Sequence, residues 1–81
     1  MKCVLLFKSV HQVMKAEKVL KGKGFTVDLI PVPREISSDC GVAVELPWEE
    51  RSGVSSLLGA SGISVLETYK RNQQGRFEKE S

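Results

Sequence analysis

The chain has no apolar run that approaches the roughly 20 residues needed to cross a bilayer. Its N-terminus, MKCVLLFKSVHQ, has a lysine and an apolar patch, but that patch stops at Lys8. A secretory h-region needs roughly 7–15 apolar residues, so the segment reads as a strand, and the protein is expected in the cytoplasm with no membrane role. Histidine is nearly absent, at one residue, and no carboxylate dyad stands at a useful spacing, so a general acid–base pair is not evident. With two cysteines, no CxxC and no histidine pair there is neither a disulfide framework nor a zinc ligand set; both thiols are expected free, and no metal or cofactor is implied. Charge of one sign is also lacking. A net charge of +2, with basic residues scattered among acids, gives no stripe for nucleic acid. At 81 residues there is room for one domain, whose folding buries a little over ~60% of the unfolded surface. No repeat or low-complexity block is present.

The composition, 41% hydrophobic and 27% charged, is that of an ordinary globular chain, and its punctuation is clear. KCVLLF (2–7) is a short continuous apolar run, as in a strand central in a sheet or covered on both faces. SVHQ, opening at Ser9, is a capping-box pattern. Val10, Val13, Met14, Ala16, Val19 and Leu20 then recur at helical spacing, and Glu17 can pair with Lys21 one turn on. GKG (22–24) stops this helix, with Gly24 suited to the left-handed C-terminal position. FTVDLIPV is a second strand, ended by Pro31 and Pro33. VAVEL (42–46) is a third, PWEERSG opens a second helix at Pro47, and ISVLETYK (63–70) is a fourth strand. Trp48 reads as a residue at the edge of the core. The domain is expected over residues 1–71, with polar residues 72–81 as a disordered tail.

The order β-α-β-β-α-β most economically gives an α+β, ferredoxin-like sandwich: a four-stranded antiparallel sheet in spatial order 4-1-3-2 with two helices on one face. In that topology the start of strand three lies beside the end of strand one, where the first helix begins. Cys40 then faces the junction containing Lys8, Ser9 and His11, Arg34 arrives on its own loop, and Cys3 lies at the far end. A thiol near a helix N-terminus and cationic side chains is biased toward the thiolate, the nucleophilic form. Gly41 gives room for a partner, and Ser37 and Ser38 offer hydrogen bonds to an anion. Each residue also has a plainer role. Cys40 can be a small buried hydrophobe, Arg34–Glu35 a surface pair, His11 a solvated side chain and SSD simple turn chemistry.

Phe7 and Ser9 at the strand–helix junction, Ala16-Glu17 in the helix, Pro31-Val32-Pro33-Arg34 and Ser38-Asp39-Cys40-Gly41 together resemble a small bacterial domain-of-unknown-function family described as selenium/sulfur (Se/S) carrier protein-like. The resemblance covers about residues 2 to 70. It implies a free-standing single-domain protein with Cys40 as the carrier residue and Arg34 as its companion. The function expected on this basis is a sulfur or selenium relay. Cys40 accepts the chalcogen as a persulfide or selenosulfide from a donor protein and passes it to an acceptor protein. That is a carrier rather than a turnover enzyme, as a monomer or homodimer. The alternative is a non-catalytic regulatory module that binds a small anion or a protein through the same loop, with a structural thiol.

Overall fold

The computed structural model describes residues 1–34, 36 and 41–80. The elements are β1 (Lys2–Leu6), α1 (Val10–Gly22), β2 (Asp28–Pro31), β3 (Val42–Pro47), a 3-10 turn (Trp48–Glu50), α2 (Arg51–Ala60), β4 (Glu67–Arg71) and β5 (Phe77–Lys79). The strands form one antiparallel sheet in the order β2-β3-β1-β4-β5. The architecture is thus α+β with two helices and a five-stranded sheet, and the first four strands keep the expected 4-1-3-2 order.

β1 is central because it is apolar on both sides. Cys3, Leu5 and Phe7 join Val44 and Leu46 against Val13, Ala16 and Leu20 of α1 and Val54 and Leu58 of α2, so both helices pack on this face. Val4 and Leu6 point the other way, into a smaller cluster with Ala43 and Ile36, flanked by Ile30, Val32, Tyr69 and Phe77. Side chains alternate across a strand, so a run without polar interruption supplies two cores at once. In the second layer, Glu45 is buried and meets Arg71 at 2.9 Å (Oε2 to Nη2), an ion pair lacking the alignment of a hydrogen bond.

The helix ends follow the local chemistry. Ser9, in extended conformation, caps α1 by accepting from Gln12 N–H at 3.3 Å, and Lys21 Nζ lies 3.0 Å from Glu17 Oε2. At the C-terminus, Gly24 has φ +86°, its N–H donates to Lys21 O, and Phe25 N–H donates to Leu20 O. α2 ends the same way: Gly62 has φ +73°, its N–H donates to Gly59 O, and Ile63 N–H donates to Leu58 O. Both are Schellman motifs, which need a residue tolerant of positive φ at the turn.

Four boundaries differ from expectation. The sheet has five strands rather than four. Within residues 72–80, read as a tail, Asn72 Oδ1 accepts from Gln74 and Arg76 N–H at 3.0 Å each, and this turn returns the chain as β5 along β4. Strand four starts at Glu67 rather than Ile63, because Ile63 closes the α2 Schellman turn and is buried there. Strand two starts at Asp28, because Phe25 is committed to the α1 cap. Pro47 stays in β3, and a 3-10 turn intervenes before α2 begins at Arg51. Val10 and Met14, expected on the apolar side of α1, are exposed.

Candidate functional site: the N-terminal end of the first helix

β1 and β3 run antiparallel with Leu5 opposite Val44. Their register therefore brings the residues entering β3 to the end of β1 from which Lys8 and Ser9 lead into α1. Gly41 stands at this entry. Its O accepts from Val32 N–H at 3.1 Å, which closes the base of the connection between β2 and β3 just beyond their last paired residues, Pro31 and Val42. Within the connection, Ile36 N–H donates to Pro33 O at 3.0 Å, and Ile36 is buried against the second face of the sheet. Arg34 lies exposed between these anchors.

Gly41 has φ +72° and open space where a Cβ would point. The expectation that its value is room for a partner is therefore incomplete. A left-handed backbone is the stronger reason for glycine here, since an L-residue is strained in it.

A cleft of about 580 Å³ opens at the start of α1, lined by Lys8, Ser9, Gln12, Gly62 and Ser64. The α1 N-terminus forms one wall, and the turn leaving α2 forms the other. The first turn of α1 has no acidic side chain. The partial positive charge of the helix end is therefore uncompensated from within the helix, and Lys8 adds to it. Of the expected site residues, Lys8 and Ser9 meet in this cleft. His11 is exposed on the same turn, and neither it nor Arg34 or Gly41 lines the cavity. Cys40 and Ser38, with Ser37, lie outside the described residues. Gln12, Gly62 and Ser64 were not among the expected site residues. Gly62 signals the α2 turn in sequence, but only the antiparallel return of β4 along β1 shows that this turn meets α1.

Cys3 is the free thiol among the described residues, and it is buried with no accessible surface. It pairs with Leu46 and Lys70 at the other end of β1. Burial away from water pushes its pKa up to about 11; Arg51 opposes the shift and Glu80 adds to it. A thiol so placed is a packing residue. Among the described residues there is no cluster of three or more His, Cys, Asp or Glu able to hold a metal ion, and no helix long and apolar enough to cross a membrane.

A family model described as "putative Se/S carrier protein-like" matches residues 2–70. No curated protein and no solved structure matches the chain.

Proposed function

The chain belongs to the Se/S carrier protein-like family, and from that premise we propose that it carries sulfur or selenium on Cys40. A carrier of this kind needs an accessible thiol and deals in general with donor and acceptor proteins. The observation that carries the assignment to Cys40 is the state of the other cysteine. The sequence has two, and Cys3 is sealed in the core with its pKa raised to about 11. The electropositive start of α1 with Lys8, and Gly41 at the same end of the sheet, support placing the carrier site at this end of the molecule.

The step is thiol exchange. The Cys40 thiolate attacks the outer sulfur of a donor persulfide, the donor's S–S bond breaks as the new one forms, and the donor leaves as a thiolate. The transferred sulfur keeps its oxidation level, so neither an oxidant nor a metal is required. A selenosulfide forms in the same way from a donor carrying selenium. Transfer to the acceptor repeats the exchange with the roles reversed. Arg34, Ser38, Ser9, Lys8 and His11 are the groups proposed to hold the anionic sulfur species, and the cytoplasm, where thiols stay reduced, is the proposed setting.

The test is intact-mass measurement after incubation with a cysteine desulfurase and cysteine. Wild type and Cys3→Ser should gain one sulfur, and Cys40→Ser none. A second reading, an anion- or protein-binding module with no chalcogen transfer, is favoured by the open cleft at Lys8 and Ser9. Under that reading, Cys40→Ser keeps all function.

A further inference from the structure

A second cleft lies at the opposite end of the molecule. It occupies about 480 Å³ between α2 and β4, with Trp48, Arg51, Ser52, Ser55, Ser56, Thr68 and Glu80 around it and Cys3 below. The cleft lies beside α2 on the helix-bearing face of the sheet, the face that carries Cys3. Spacing of three and four residues sets Ser52, Ser55 and Ser56 on one side of α2. Such a volume lies within the range of small-molecule sites.

Its charged groups, Arg51 and Glu80, are not paired with each other. The Arg51 guanidinium stacks on the Trp48 ring at 4.1 Å and donates through Nη1 to Trp48 O at 2.8 Å, which leaves other N–H donors of its fork available. Lys70 approaches the same ring at 5.0 Å. Across the cleft, Glu80 is anchored by its N–H to Thr68 O at 2.8 Å. Among the described residues, Arg51 and Glu80 form no ion pair, and the hydroxyls of Ser52, Ser55, Ser56 and Thr68 make no hydrogen bond. A guanidinium held against Trp48 and a carboxylate whose backbone is tied to β4, both bordering one hydroxyl-lined cleft, complement a small molecule carrying both charges. A simple anion would meet Glu80, and a simple cation would meet Arg51.

We propose that this cleft binds a free α-amino acid, with its carboxylate on Arg51, its ammonium on Glu80 and the hydrogen-bonding capacity those groups have left met by the serine face of α2. The site is separate from the thiol chemistry proposed for Cys40 and stands or falls independently of it. L-Alanine titrated into the full-length, isotope-labelled protein tests it by NMR, with acetate and methylammonium as single-charge controls. L-Alanine should give saturable shifts at Ser55, Ser56, Thr68 and the Trp48 indole, and the controls should bind at least about tenfold more weakly. Arg51→Gln and Glu80→Gln should each weaken binding about tenfold or more, the loss expected for one charge-assisted contact. Both side chains are at the surface, and an unchanged thermal midpoint confirms that the variants are folded. The proposal is overturned if shifts do not saturate, if acetate binds as well as L-alanine, or if folded Glu80→Gln binds undiminished.

Discussion

The two thiols should differ in reactivity by orders of magnitude in the folded protein. At pH 7.5 a thiol with pKa about 11 is thiolate in only about 1 molecule in 3,000. An ordinary thiol of pKa about 8.5 is thiolate in about 1 in 11, so ionisation alone slows Cys3 by roughly 300-fold. Access sets a separate limit, because a thiol exposed by opening loses the burial that raises its pKa. Cys3 has no exposed surface, so a reagent reaches it only when the packing around it opens. With a typical stability of about 5 kcal/mol, the open fraction is on the order of 2 × 10⁻⁴. Iodoacetamide in excess, quenched at intervals and followed by peptide mass mapping, measures both rates in one sample. Cys40 should be alkylated at or above the rate of a model thiol, and Cys3 at least about 300-fold more slowly until denaturant is added. Alkylation of Cys3 within tenfold of Cys40 under native conditions would refute the reasoning.

Cys3 should also make stability depend on alkaline pH. Its folded pKa is raised, so its contribution is fully present below the unfolded value near 8.5 and is lost as pH climbs toward 11, by up to about 3 kcal/mol. Denaturant titrations between pH 8 and 11 should show a steeper loss for wild type than for Cys3→Ala, and parallel curves would contradict this. Ser9→Ala removes the α1 cap and should cost about 1 kcal/mol, read from denaturant midpoints and faster hydrogen exchange at Gln12. Gly62→Ala, at φ +73° with no steric neighbour, should cost about 1–2 kcal/mol through backbone strain alone, whereas Gly59→Ala, in the helix, should be neutral or slightly stabilising. Arg71→Ala leaves the Glu45 carboxylate buried without its cation and should destabilise by about 1–3 kcal/mol, with much of the loss recovered by Glu45→Gln in the same chain.

Local chemistry carried most of the fold. Ser9, Gly24, Pro31 and the uninterrupted run of β1 each act within a few residues of themselves, so their consequences are visible in the chain. The shortfalls arose where a residue had two possible uses. Ile63 and Phe25 are good strand residues by type, but each completes a Schellman turn, a competition decided only when the helix end forms. β5 leaves little trace in the sequence because Phe77 alone carries its apolar signal, and the Asn72 turn that returns it relies on side-chain hydrogen bonds. At the candidate site, Lys8 and Ser9 were legible because they flank a helix start. Gly62 and Ser64 reach the same cleft through sheet pairing, which leaves no mark on their own sequence neighbourhood. Arg34 has the right charge for the site and His11 sits on the adjoining helical turn, yet spacing alone could not say that neither lines the cleft.

The central claim is that one thiol both accepts and surrenders a chalcogen. It is tested most directly by loading the protein once with labelled sulfur from a persulfide donor, re-isolating it, and adding an acceptor thiol. The account predicts one labelled sulfur per chain on the Cys40 peptide, none on the Cys3 peptide, and release of that label with recovery of free Cys40. Absence of label with every donor tried, label on Cys3, or label that the acceptor cannot remove would contradict it.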